Sequence, residues 1–145
     1  LDAKIGYSIG GDLYNYTRAA LESMSGYENQ TLSVLNRWRA DGQVTSVPKA
    51  TWGDPMGNSR FSDRWIEDGS YMRLKTITLN YKVPMQSKFI ESINVFVTGE
   101  NLLTLTKYKG LDPEFSQSEN PLYYGVDAAI CPQPVALFLG VKIGL

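Results

Sequence analysis

Gly6-Tyr7-Ser8-Ile9-Gly10 matches the Gly-x-Ser-x-Gly pattern, in which a serine nucleophile sits on a sharp strand-to-helix turn. That chemistry needs a base to take the serine proton, and the 145-residue chain contains no histidine. Ser8 also falls on the polar side of an alternating segment rather than at a turn into helix. The missing histidine removes the commonest metal ligand as well. Cys131, the single cysteine, leaves no internal disulfide and no cysteine-rich metal site. Asp112, Glu114, Glu119 and Asp127 carry oxygens suited to a hard cation, but their spacing is not that of a calcium loop, and solvated loop acids are the simpler reading. Asn15-Tyr16-Thr17 and Asn29-Gln30-Thr31 fit the glycosylation sequon, a match expected by chance. The chain reads as a non-enzyme with neither cofactor nor metal.

What remains are side chains that bind rather than react. Trp38, Trp52, Tyr108, Tyr123 and Tyr124, with Arg37 and Arg39, lie in long polar stretches and are the candidates for contact with a substrate or partner. The plainer reading for each is loop packing by its own neighbours. Fourteen basic against fifteen acidic residues give a net charge of −1, which argues against a nucleic-acid surface.

The elements that must position these residues are strands. Four segments alternate with period two, near 2–10, 70–83, 92–102 and 134–145. In the last, Val135, Leu137, Leu139, Val141, Ile143 and Leu145 share a wholly apolar face, over about the 9–11 residues a tilted strand needs to cross a bilayer. The second contains a break in phase. Met72 and Leu74 have the opposite parity from Ile77, Leu79 and Tyr81, which predicts a bulge near Lys75 or a passage between environments. No stretch approaches the ~18 apolar residues of a membrane helix, which leaves a β-barrel open because its strands never build a long hydropathy peak.

The connections are long, short and long. Residues 11–69 hold a predicted helix over Tyr14–Ser25, a second over Thr31–Arg39, and then loop rich in glycine, proline and aspartate. The turn 84–91 is brief, with Pro84 stopping the ladder and a helical turn at Met85–Ile90. Residues 103–133 show no period. Such inequality suits an outer-membrane barrel, with long extracellular loops and short periplasmic turns. The short turn is then periplasmic, the odd-numbered faces of the last two strands meet lipid, and Asn94, Thr98, Glu100 and Lys142 line the lumen. An antiparallel soluble sheet with one wet face gives the same alternation, so a secreted or surface β-rich binding or adhesion module without transport activity is the alternative.

The residues between the strands resemble one family. Arg64-Trp65-Ile66-Glu67-Asp68-Gly69-Ser70-Tyr71-Met72-Arg73-Leu74-Lys75 and Gly99-Glu100-Asn101-Leu102-Leu103-Thr104, continuing to Lys107-Tyr108-Lys109-Gly110-Leu111-Asp112-Pro113-Glu114, are similar to signatures of SusC/RagA-family TonB-linked outer-membrane proteins. So are Leu35-Asn36-Arg37-Trp38 ahead of Val47-Pro48-Lys49-Ala50, Pro132-Gln133-Pro134, and Gly10-Gly11-Asp12-Leu13-Tyr14-Asn15, in order along nearly the whole chain. The start at Leu1, without an initiator methionine, reads as cut from something longer. Leu145 stands where family members usually end in an aromatic residue.

The resemblance implies an all-β fold with short helices in its loops: the C-terminal strands of a large antiparallel transmembrane β-barrel of about 22 strands, in the bacterial outer membrane. It implies a TonB-dependent receptor that imports glycan or peptide oligomers. A SusD-like surface lipoprotein would be the partner, and TonB would engage a plug-bearing N-terminal part absent from this chain.

Overall fold

The structure, a computed structural model, describes residues 1–84, 90–114 and 123–144. In chain order its elements are β1 (Asp2–Ser8), β2 (Asp12–Asn15), α1 (Tyr16–Leu21), β3 (Ile66–Asp68), β4 (Tyr71–Val83), β5 (Ser92–Thr106), β6 (Val126–Asp127) and β7 (Ala136–Gly144). The chain divides into two compact units. One is made of Leu1–Gly10, Gly69–Lys107 and Pro132–Leu145, the other of Gly11–Asp68 and Tyr108–Cys131. The helical turn expected at Met85–Ile90 and the terminal Leu145 fall wholly or largely outside the described residues.

The first unit is an antiparallel sheet in the order β1-β4-β5-β7. Its strands differ from the sequence expectation at their ends. β1 stops at Ser8 because Gly10 and Gly11 take positive φ (80° and 90°), and the Gly10 N–H turns to Ser70 Oγ at 2.9 Å. β7 begins at Ala136, two residues after Pro134, which has no N–H for a ladder and whose carbonyl accepts from Asn101 Nδ2 at 3.1 Å. β5 runs on to Thr106, four residues past the expected end at 102.

The phase break at Lys75 is a bulge. Lys4 and Ile5 of β1 pair with Thr76 and Leu74, so Lys75 is the extra residue on that side. Thr76 and Leu74 pair in turn with Glu100 and Leu103 of β5, leaving Asn101 and Leu102 opposite Lys75, with Asn101 at φ 52°. A Cβ on Gly6 would meet the Lys75 side chain, which places Lys75 over Gly6.

With the bulge, the opposite parities in β4 serve a single face. Rows of paired residues run Val83-Ile93-Ile143, Tyr81-Val95-Val141, Leu79-Val97-Leu139, Ala3-Ile77-Gly99-Leu137, Ile5-Leu74-Leu103 and Tyr7-Met72-Leu105. Every member is apolar or tyrosine, and most are openly exposed, Leu137 at 74 % and Leu139 at 76 %. From Tyr81 to Met72, the partner of Tyr7, β4 climbs nine residues. That is roughly 30 Å along the strand and, at a tilt of about 40°, roughly 23 Å along a barrel axis, close to the ~25 Å apolar band of an outer-membrane barrel. Tyr81 and Tyr7 stand near the band's two margins, where aromatic girdles lie.

The second unit holds the aqueous core: among the described residues the buried hydrophobics Ala19, Met24, Val34, Trp65 and Tyr108 all belong to it. A three-stranded sheet, order β3-β2-β6, pairs β2 antiparallel to β3 and parallel to β6. The helix expected over Tyr14–Ser25 is only Tyr16–Leu21. Tyr14 and Asn15 are taken into β2, Asn15 Oδ1 caps the helix by accepting from the Arg18 N–H at 2.8 Å, and Met24 turns at φ 52°. The second expected helix, Thr31–Arg39, is a 3₁₀ turn over Leu32–Asn36, ended by extended backbone at Arg37.

Candidate functional site

The polar face of the first sheet carries Asn94, Thr98, Glu100 and Lys142 together. Asn94 pairs with Lys82 on one side and Lys142 on the other. Thr98 stands between Thr78 and Phe138, its Oγ1 3.0 Å from that of Thr78. Glu100 lies between Thr76 and Ala136. Phe96 covers Gly140. Nearer Tyr71, Arg73 is buried and donates from Nε to Thr104 Oγ1 at 3.0 Å. The face mixes charge, hydroxyls and isolated aromatics, so it suits water and not acyl chains.

The second unit is organised around buried charge. Arg18 donates to Glu22 Oε1 at 3.2 Å and to Glu67 Oε1 at 2.7 Å. Glu22 Oε1 also receives Ser33 Oγ at 2.6 Å and Thr31 Oγ1 at 3.4 Å. Glu67 Oε2 accepts the Lys109 N–H at 2.8 Å, tying Tyr108–Cys131 to Gly11–Asp68. Burial pulls the Arg18 pKa down, but the Glu67 and Glu22 carboxylates outweigh it and hold it above its usual value. Arg64 goes the other way: burial lowers it, Glu22 gives some of that back, and Arg18 opposes it further. Both guanidiniums stand against the fully buried Trp65 ring, at 5.4 and 4.4 Å. The Trp65 Nε1–H donates to the Arg60 carbonyl at 3.1 Å. This network fixes segments to one another; Ser8 ends a strand and does not sit at a strand-to-helix turn.

The loop candidates scatter. Arg37, Trp38 and Arg39 form one turn, closed by Gln43 on the Arg39 N–H (2.8 Å) and the Arg37 carbonyl (3.1 Å) and by the Trp38 N–H on the Val47 carbonyl (2.9 Å). Arg39 itself donates to the Leu35 carbonyl at 2.9 Å, and Lys49 stands 5.8 Å from the Trp38 ring. Trp52 is exposed and meets Tyr27, also exposed, at 4.4 Å between ring centroids. Tyr123 and Tyr124 are exposed.

Tyr108, unlike the other loop aromatics, is 6 % exposed and its hydroxyl donates to Asp127 Oδ2 at 2.5 Å, so it packs within the unit. Burial, then the Asp127 bond and charge, push its pKa well above the ordinary 10.0. Of the loop acids, Asp112 accepts the Glu114 N–H and Asp127 accepts from Tyr108 and the Ala129 N–H. Glu119 lies outside the described residues, among which no cluster of three or more potential metal ligands occurs.

The Arg18–Glu22–Glu67 network went unread in the sequence. Its one local signal is the Arg18/Glu22 spacing of four on a helix; Glu67 and Lys109 join from far along the chain. A cavity of about 340 Å³ opens beside the network, next to Asn15, Leu21 and Leu111, and another of about 460 Å³ lies between Thr45, Asn58 and Arg64.

No protein-family model matches the chain. TonB-dependent receptor P3 of Formosa agariphila is 36 % identical over 110 residues, covering 74 % of this chain and 10 % of that protein. TonB-dependent receptor SusC of Bacteroides thetaiotaomicron is 30 % identical over 86 residues, covering 57 % of this chain and 8 % of its own length. The solved structure of the RagAB peptide transporter superimposes with a TM-score of 0.80 at 30 % identity, over 98 % of this chain and 15 % of that one. The chain thus spans about a tenth of the length of these curated relatives.

Proposed function

We propose, from the premise that this chain belongs to the SusC/RagA family of TonB-dependent receptors, that it supplies four strands and two outer loops of an outer-membrane transporter for oligomeric nutrients. The single observation that carries the reading is the apolar face, continuous over β1, β4, β5 and β7 and about as tall as a bilayer's hydrocarbon band. Such a surface is stable against lipid and a liability in water. On this reading the polar face, with Asn94, Thr98, Glu100 and Lys142, looks into the lumen. The β4–β5 turn is periplasmic, and Gly11–Asp68 with Tyr108–Cys131 are extracellular.

Transport then breaks no bond. Cargo is bound at the outer side, a SusD-like lipoprotein closes over it, and TonB acting on a plug outside this chain supplies the energy. Arg37, Trp38, Arg39, Trp52, Tyr123 and Tyr124 are the chain's candidates for touching cargo or the lipoprotein. The solved neighbour is a peptide transporter, which supports peptide over glycan as cargo.

The test is growth of a strain lacking the full-length gene, on oligopeptides or on oligosaccharides as limiting nutrient, together with fractionation of the wild-type protein. Loss of growth on one class and recovery in the outer membrane are expected. A protein that is soluble without detergent overturns the reading.

A further inference from the structure

The polar face of the first sheet ends, next to the β4–β5 turn, in a row of cations. Lys82 of β4 and Lys142 of β7 flank Asn94 of β5, each paired with it, so the two lysines stand two strand spacings apart, roughly 10 Å. Both are exposed, and neither has a carboxylate partner among the described residues. The acids of the same face stand farther from the turn. Asp2, opposite Thr78, is two rows away and Glu100 three, roughly 14 and 20 Å along the strands. Those distances exceed the ~8 Å reach of a charge in physiological salt. Lys4 shares the Glu100 row through Thr76, and Glu91, just ahead of β5, is exposed and pairs with neither lysine.

Beside this row the face turns aromatic. Phe96 lies over Gly140 in the next row, and Phe138, 50 % exposed, stands opposite Thr98 in the one after. Rings at the centre and charges on a wet rim are the composition of a protein contact. A water-filled wall gains nothing from the rings, and an apolar ligand gains nothing from the lysines. On the transporter reading this face looks inward, where cargo or the receptor's own chain reaches it. This chain spans 10 % and 14 % of two curated relatives, so most of such a receptor lies outside it. Rings left wet between passing cargoes are a standing cost, which a resident segment removes.

We propose that this patch docks an acidic segment of the receptor outside this chain, with carboxylates against Lys82 and Lys142 and an apolar side chain against Phe138. Asn94, donor and acceptor at once, meets the segment's main chain between them. This deepens the transporter reading and rests on it for the inward direction of the face. The attachment is made of exposed charges, so salt weakens it. The segment is therefore held at the turn end of the wall by contacts that release without unfolding a strand.

The experiment uses purified full-length receptor in detergent. A water-soluble carbodiimide, which joins an amine to a carboxylate in direct contact, is followed by mass spectrometry. Chymotrypsin cleavage outside this chain is timed at low and at high salt. The wild type is expected to give a crosslink from Lys82 or Lys142 to an acid of the receptor outside this chain. Its cleavage should be about fivefold faster at high salt, as the exposed pairs are screened. Lys82→Gln combined with Lys142→Gln should be cut at the faster rate at both salts, while Lys4→Gln, three rows away, keeps the wild-type salt dependence. The proposal is overturned by crosslinks from neither lysine, by crosslinks confined to this chain or to a copurified peptide or lipoprotein, or by a salt dependence that survives in the double variant. The mobility of unheated protein on gels keeps the two readings apart. A folded barrel with both lysines free loses the patch alone, whereas a receptor soluble without detergent loses the transporter.

Discussion

Phe96 of β5 covers Gly140 of β7. The two are directly paired across the strands, and a Cβ on the glycine would run into the ring. The aromatic fills the gap the glycine leaves on the polar face. Gly140→Val is expected to lower the stability of the folded full-length barrel by about 1–3 kcal/mol through overpacking. In a Phe96→Ala background the same change should cost clearly less. Urea midpoints followed by the mobility of unheated protein on gels give both values, and simply additive costs would contradict the pairing.

The two faces of β5 and β7 predict opposite chemistry at single positions. With Cys131 replaced by serine, Glu100→Cys in intact barrels should react with a hydrophilic thiol reagent, while Val141→Cys, on the apolar face, should not. Equal labelling removes the face assignment. Cys131 itself is exposed and on the proposed topology labels from outside the cell.

Glu67 joins two distant segments through one carboxylate, Arg18 on one oxygen and the Lys109 N–H on the other. Glu67→Leu removes both. A loss of about 1–2 kcal/mol of local stability is expected, kept modest because Arg18 is partly solvated. Amide hydrogen exchange reads it directly, with Lys109 as the reporter. An unchanged Lys109 rate would show that the bond does not hold the segments.

Tyr108 gives the loop unit an alkaline limit. Its pKa is raised by burial and by Asp127, so the folded state favours the neutral phenol. The stability this provides is complete below pH 10, the unfolded value, and is lost as pH rises beyond it. Tyr108→Phe should be less stable than wild type by about 1–3 kcal/mol at pH 7, where the bond to the Asp127 carboxylate is intact. The gap should shrink above pH 10. A constant gap up to pH 11, by Trp fluorescence of the full receptor, would contradict this.

Trp52 and Tyr27 form an exposed aromatic pair with no burial to explain them. If they meet cargo, Trp52→Ala weakens uptake at limiting concentration about tenfold, the worth of one stacked aromatic, with barrel stability unchanged. Uptake kinetics at several concentrations check this, and an unchanged half-saturation concentration contradicts it.

The sheet was legible because alternation is written residue by residue. Ile93, Val95 and Val97 against Asn94, Phe96 and Thr98 declare both faces, and the parity switch between Leu74 and Ile77 declared the bulge. What failed depended on distant partners. Tyr14 and Asn15 look helical locally, yet pair with Ile66, Val126 and Asp127. Asn101 reads as the end of a strand, yet its positive φ lets β5 continue to Thr106. Tyr108 passes for a surface aromatic until Asp127, 19 residues later, takes its hydroxyl.

The bulge also bears on how this wall tolerates changes in length. Between equivalent pairs there is no intervening residue in β1, one in β4 and two in β5. Relative to β1, β4 therefore already carries an insertion, and β5 carries one more. Deleting Lys75 would restore plain alternation from Thr76 to Leu74 and leave every greasy side chain outward. Deleting Thr78 would instead turn Ile77 onto the polar face and swing Thr76 onto the apolar one. Indels along this strand are thus unequal, and position 75 is the place where the sheet can lose a residue without exchanging one face for the other.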